Sequence, residues 1–415
     1  MKTSKILLVS AACAASCFSI ACGGGGSKSS TDQTTITTTG SNVLSIQVNP
    51  GSVQGLTYAN GAFASATVCV PGTSTCQTIG GLLVDTGSYG LRILSSAITK
   101  VSLPQQKNSS GDPVYECVQF IDSYTWGPVE TADVQLSGET ASSLPIQVLS
   151  DSSPMAPSGS ACSPNSGLPS ADTPQSLGAQ GILGVGEFPQ DCGGACAPGG
   201  SATPPDAYYS CPSSGCTASF ENLASQVQNP VTLFPKDNNG VIVELPAVSS
   251  VAETVNGSLV FGIGTETNNE LGSATVYTAD PNTGNFTTTF QSTTYSDEAF
   301  IDSGSNGYFF PDPANPSIPV CSATSGAGGF YCPPSTSNLS AAVKGITAGS
   351  GTVNFSVGNA ETLFNDNPND AAFADLGGTA SVDFDWGLPF FYGRNVYTSI
   401  AGATAPGGTT PYWAY

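Results

Sequence analysis

Short apolar runs alternate with clusters of Gly, Pro, Asn, Ser and Thr along almost the whole chain, and long helical periodicity is nearly absent. Runs of that kind, punctuated by turn residues, predict many short strands and few helices. "CVPGTSTC" (69–76) reads as a hairpin with a cysteine at each end. Two runs stop abruptly on a carboxylate: "LLVDTGSYGLRIL" (82–94) at Asp85 and "FIDSGSNGYFFP" (300–311) at Asp302. The pattern as a whole is that of an all-β protein with many turns.

A carboxylate at the end of a buried strand is costly to desolvate unless it is paired or hydrogen-bonded. The chain supplies a partner, because the order Asp, hydroxyl, Gly, hydroxyl occurs in Asp85–Ser88 and again in Asp302–Ser305. Composition alone would give about one chance copy of this pattern in ten chains so rich in Gly, Ser and Thr. Two copies, each set between apolar runs, are much harder to obtain by accident. The competing reading is a pair of Asp-Gly turns after strands.

Composition narrows the chemistry. The chain has 415 residues, enough for one large domain or two ordinary ones. Charged residues are 9%, and nine Lys and Arg set against thirty Asp and Glu leave a net charge of −21. A nucleic-acid partner is therefore not expected, since phosphate binding needs clustered cations. Histidine is absent altogether. That removes Ser-His-Asp and Cys-His catalysis and every His-ligated metal site. Carboxylates, hydroxyls and thiols remain, with no cofactor and no metal implied. The acidic stretches 280–285 and 365–375 lack the fixed spacing of a calcium loop and read as Asx-rich turns.

At the N-terminus, Lys2 and Lys5 precede "ILLVSAACAASCFSIAC", too short to span a membrane comfortably. "SIAC" followed by a Gly/Ser/Thr stretch resembles a bacterial lipoprotein signal and tether, which implies a signal over 1–21, lipidation at Cys22 and a flexible tether over 22–42. An ordinary secretory signal is the alternative. Thirteen cysteines, less Cys13, Cys17 and Cys22, leave ten, an even number that reads as disulfides in an exported chain. Cys69 and Cys76 span the hairpin, Cys321 and Cys332 bracket a Gly/Ser loop, and Cys117 and Cys162 remain for each other. Cys192, Cys196, Cys211 and Cys216 cluster in a Gly/Pro-rich insertion with their pairing open, and a four-cysteine zinc site is the rival reading.

With both Asp motifs in view, the chain resembles the pepsin-like aspartic peptidases. In that family each Asp loop is followed by two apolar residues and a glycine that thread beneath it. Here Ile182, Leu183 and Gly184 follow the first loop, and Phe391, Tyr392 and Gly393 the second. "YGRN" (392–395) is similar to the "GRN" of retroviral aspartic peptidases, whose arginine pairs with an acid at positions matching Tyr89 and Asn306, neither of which is acidic here. Residues 220–235 resemble a short amphipathic helix and strand of the first lobe, and 256–264 the strand leading into the second. The resemblance implies two β-barrel-like lobes, 43–250 and 251–415, with the cleft between them and the 187–216 insertion outside the pattern. It implies a flap hairpin over 115–136, with Phe120, Tyr124 or Trp126 over the cleft. Arg92 departs from the family and is read either as a residue that caps a sheet edge or pairs with an acid, or as a group that recognises a substrate acid.

Asp85 and Asp302 would then share one proton, because like charges at hydrogen-bonding distance cannot both ionise cheaply. The ionised member takes a proton from water and the neutral member donates one to the scissile carbonyl. Thr86 and Ser303 match the hydroxyls that cross between the loops, Ser88 and Ser305 those that bond the outer carboxylate oxygens, and Gly87 and Gly304 the tight turns. Two functions follow: a lipid-anchored aspartic endopeptidase of the cell envelope, or a non-catalytic binding lipoprotein that holds a peptide or glycan in the same cleft. A peptide or protein substrate, a membrane contact only through the lipid, and a monomer are expected.

Overall fold

The strands Cys76–Asp85 and Thr293–Ile301 each deliver an aspartate to a loop, and the rest of the fold is arranged about those two ends. The computed structural model describes residues 35–150, 154–312 and 317–415. The signal segment, Cys22 and the first part of the expected tether lie outside the described residues. The chain is all-β with two lobes, as the strand pattern predicts. No helix among the described residues is long and apolar enough to cross a membrane.

In the first lobe six strands close into a barrel: Ala62–Cys69, Cys76–Asp85, Gly181–Val185, Tyr89–Leu94, Glu139–Leu149 and Tyr124–Leu136. Closure comes from the first and last of these, which pair Thr67 with Gln135, Val68 with Val134 and Cys69 with Asp133. The second lobe is a seven-stranded half-barrel containing Thr293–Ile301, Phe384–Trp386 and Tyr308–Phe310. Its interior is aromatic, with Phe290, Phe310, Phe355, Phe384 and Trp386 in edge and tilted contacts. Burying each such ring is worth about 1.5–3 kcal/mol.

A six-stranded floor joins the lobes, in the order Val43–Val48, Val255–Phe261, Gly240–Leu245, Arg394–Ser399, Tyr412–Ala414 and Val276–Thr278. Val43 starts the first floor strand, and residue 250 lies in the loop between the floor strands Gly240–Leu245 and Val255–Phe261. The expected tether is not free to its end: Thr37 bonds the Glu244 carboxylate through its amide and hydroxyl, and Asn42 donates to the Phe261 carbonyl at 3.0 Å. The segment 220–235, expected as an amphipathic helix and strand, forms two 3-10 turns instead, Leu223–Ser225 and Pro230–Leu233. Pro230 starts the second of these, and Asn229 caps it through Val231 N–H.

All ten expected cysteines are paired: Cys69–Cys76, Cys117–Cys162, Cys192–Cys196, Cys211–Cys216 and Cys321–Cys332. The cluster thus resolves into two local disulfides and is not a four-thiolate zinc site. Five disulfides fit a protein exported to an oxidising compartment. The insertion has a structural use, because Tyr208–Ser210 adds to the edge of the hairpin strand Val114–Gln119 and Thr217–Ala218 adds to that in turn.

Candidate active site

The two Asp loops face each other across the lobe junction. Gly87 N–H donates to Asp85 Oδ1 at 2.8 Å and to Asp302 Oδ1 at 3.2 Å, so one amide serves both carboxyl groups. Gly304 N–H donates to Asp302 Oδ1 at 2.7 Å. The outer oxygens are held by the next hydroxyls: Ser88 donates to Asp85 Oδ2 at 2.5 Å and Ser305 to Asp302 Oδ2 at 2.8 Å. A Cβ on Gly87 would stand 2.6 Å from Asp302 Cγ, and one on Gly304 2.7 Å from Asp85 Cγ. Only glycine lets the loops approach this closely.

Beneath the carboxyl groups Thr86 and Ser303 exchange two bonds, and each makes one more to the opposite strand. Thr86 N–H donates to Ser303 Oγ at 3.1 Å, and Ser303 N–H to Thr86 Oγ1 at 2.9 Å. Each hydroxyl then donates to the far strand, Thr86 to Ile301 O at 3.1 Å and Ser303 to Val84 O at 2.8 Å. Both residues are fully buried. The two loops are thus bonded to each other and to the strands beneath them.

The supports beneath the loops match the sequence reading on one side only. Gly181–Val185 runs parallel to Cys76–Asp85 with Leu83 opposite Ile182, Val84 opposite Leu183 and Asp85 opposite Gly184. In the second lobe the parallel partner is Phe384–Trp386, with Phe300 opposite Asp385 and Ile301 opposite Trp386, so that Gly387 follows opposite Asp302. The support is therefore 385–387, not 391–393. A Cβ on Gly387 would meet Gly307 O at 2.1 Å, as one on Gly184 would crowd Tyr89 N at 2.8 Å. Asp385 occupies the place of the first apolar residue of the support, so the segment does not show the apolar-apolar-Gly pattern. Tyr392 instead donates to Asn60 Oδ1 at 2.7 Å, and Asn60 Nδ2 donates to Asn306 O and Phe373 O, which ties the first lobe to the second. Arg394 lies over the Phe390 ring and donates to Phe390 O.

The expected hairpin is present, with Val114–Gln119 and Tyr124–Leu136 antiparallel and its tip at Phe120–Ser123. Of the three flap candidates Phe120 lines the cleft, but Tyr124 and Trp126 do not. Trp126 stacks on Tyr115 and meets Tyr209 edge-on, and both candidates are buried in a small core with Cys117, Cys162 and Cys211. The insertion strand provides that core, which a reading that set the insertion aside could not foresee. Arg92 takes the first of its two readings: it is buried, lies 2.9 Å from Glu116 and 3.1 Å from Asp191, and donates to Tyr89 O at 2.6 Å. The 280–285 stretch is an Asx turn, with Asn282 and Thr283 amides on Asp280 Oδ1.

The cleft encloses about 380 Å³. Leu83, Ile182 and Phe300 line its floor, Phe120 and Ile121 approach from the hairpin, and Asp85 and Asp302 lie at its base. A family model described as "Protein of unknown function (DUF3443)" matches residues 38–415. The chain belongs to this family. No curated protein matches it.

Three polar groups at this DUF3443 site had no motif to announce them. Tyr58 packs with Leu83 and Leu177, its buried hydroxyl has no partner among the described residues, and burial with the charges of Asp122, Asp85 and Asp302 holds its proton on. Asp385 is 3% exposed, and burial together with the nearby Asp302 raises its carboxyl well above the usual range. Glu187 lines the cleft and is raised in the same way, first by burial. Burial also pushes Asp85 well up, with the charge of Asp302 adding to it.

Two outcomes follow. Thr86→Val keeps the shape but strands Ser303 N–H and Ile301 C=O, and chemical denaturation should show a loss of about 2–4 kcal/mol. A loss below about 0.5 kcal/mol would mean that the crossed bonds contribute nothing net. The second outcome concerns pH. Asp85, Glu187 and Asp385 are raised in the folded chain, and Glu130 is pushed up to about 7. Folded protein therefore holds more protons than unfolded protein above the ordinary carboxyl range, about pH 4. Their contribution is full below that range and is lost as pH rises through the folded values. The melting temperature should accordingly fall between about pH 5 and pH 8; a melting temperature that rose over that interval would contradict it.

Proposed function

We propose that the protein is an exported aspartic endopeptidase, similar in fold and dyad to the pepsin-like enzymes, anchored by lipid at Cys22. One observation carries the assignment: Asp85 and Asp302 share the Gly87 amide at the base of a cleft that a hairpin overhangs. A pair that close retains one proton over a wide pH range. Its ionised member takes a proton from a bound water, and its neutral member protonates the carbonyl oxygen that the water attacks. Ser88 and Ser305 hold each carboxyl group while the proton moves. No covalent intermediate forms. The floor residues Leu83, Ile182 and Phe300 suit apolar side chains beside the scissile bond.

Asp302→Asn replaces one acid by an amide of similar size that can neither act as base nor share the proton. Digestion of a peptide library should therefore stop in the variant, with its fold and melting temperature kept or slightly improved. Wild type should cut best in mildly acidic buffer, respond to a statine inhibitor, and lose activity as the pair loses its proton at higher pH. Identical cleavage maps from wild type and Asp302→Asn at every pH would end the assignment. Retention of the same peptides by both without cutting would make the protein a binding lipoprotein. The anchor has its own test: Cys22→Ser should move the protein from the detergent-extracted membrane fraction to the soluble exported fraction, and continued membrane retention would rule out lipid at Cys22.

A further inference from the structure

The cleft carries more acid than the dyad needs. Asp122, Glu187 and Asp383 line it together with Asp85 and Asp302, and no lysine or arginine among the described residues does so. Glu187 differs from the other added acids in its setting. It is 2% exposed, and its Oε1 has no hydrogen-bond partner among the described residues. A buried, unpaired carboxyl oxygen is costly, and native structures rarely keep one without a use. The Glu187 carbonyl accepts from Ala401 N–H at 2.7 Å, which fixes its backbone against the second lobe. Its carboxyl group faces Gly284, where a Cβ would stand 3.2 Å from Cδ and Oε1. The Gly284 backbone lies close on the carboxyl group, with no room there for a side chain. Gly284 O in turn accepts from Trp413 Nε1 at 3.0 Å, so the opposing loop is held as well.

We propose that Glu187 forms a subsite for a cationic side chain, lysine or arginine, of a peptide lying in the cleft. This inference rests on the cleft being a peptide site, and does not require that the peptide be cut. The chemistry is that of a charge-assisted pair in a low-dielectric pocket: an ammonium or guanidinium donates to Oε1, and the negative field of the surrounding carboxylates adds to the attraction. A buried acid held up in its titration gives up its proton when the cation enters, because the opposite charge favours the ionised form. An acidic side chain at that place meets the repulsion of the surrounding carboxylates, and an apolar one of equal length leaves Oε1 unpaired. Specificity of this polar kind is larger than that of an apolar pocket, since the wrong ligand strands a buried group.

The test is a peptide set scanned at each position with lysine, arginine, norleucine, glutamine and glutamate. Binding is followed by calorimetry and cutting by mass spectrometry, on wild type and on Glu187→Gln. At one position wild type should prefer lysine or arginine over norleucine by about tenfold or more, and glutamate should be worst. In Glu187→Gln that ratio should fall to within about threefold of parity, whatever the overall affinity. Should the variant fail to fold, the wild-type scan still decides, because absence of a cationic preference overturns the subsite. Cutting without such a preference overturns the subsite and leaves the peptidase assignment standing. A preference that survives unchanged in Glu187→Gln also overturns it. Binding with the expected preference but no cutting upholds the subsite and removes the peptidase. If no peptide is bound or cut by wild type, both fall.

Discussion

Two carboxyl groups held together, Asp85 buried and Asp302 partly so, set the terms for everything near them. Each needs donors, and the loops supply the amides of Gly87 and Gly304 and the hydroxyls of Ser88 and Ser305. Those donors reach only if nothing larger than hydrogen occupies two positions of the turn, which accounts for Gly87 and Gly304. Loops so short cannot hold their own shape, so Thr86 and Ser303 lock each to the strand of the other lobe. The parallel strands beneath, Gly181–Val185 and Phe384–Trp386, carry that geometry into the two cores. The dyad and the lobe interface are therefore one construction.

The hairpin over the cleft is held by the reverse means, a buried ion cluster. Arg92 follows the first Asp loop in sequence and meets Glu116 on the hairpin and Asp191 after the support strand. Asp191 accepts from Tyr208, and the Tyr208 hydroxyl accepts from Val227 N–H, so the insertion is tied to the same centre. Such clusters add little net stability over a well-packed apolar core, but breaking one partner leaves a charge buried alone. They fix where the pieces stand. The hairpin base is thus set relative to Asp85 by charge, and its tip turns through the Phe120 N–H to Ser123 O bond.

What was legible in the sequence followed from local chemistry. The two Asp motifs, their hydroxyls and glycines, the Cys69–Cys76 hairpin and the all-β pattern need only neighbours in the chain to be recognised. What was missed depended on distant partners. Asp385 replaces an apolar residue in the second support strand, whereas 391–393 carries the apolar-apolar-Gly pattern without lying beneath the loop. Tyr124 and Trp126 looked free to cover the cleft because the strand that buries them, Tyr208–Ser210, lies in an insertion with no strand-like neighbours. The cysteine cluster could be paired only once its loops were placed. Glu187 follows the Gly184 support by three residues, and nothing in the sequence distinguishes it from a surface acid.

The six-stranded floor has a consequence for biogenesis. Val43–Val48, near the start of the folded region, is hydrogen-bonded to Val255–Phe261, and Gly240–Leu245 to Arg394–Ser399. Tyr412–Ala414 then closes on Arg394–Ser399 and Val276–Thr278. Pairings of such long sequence separation form late and slowly, because the intervening chain must be closed first. The first lobe therefore cannot seat its lower edge until nearly the whole chain has emerged. The delay defers assembly of both Asp loops until nearly the whole chain is available to pair.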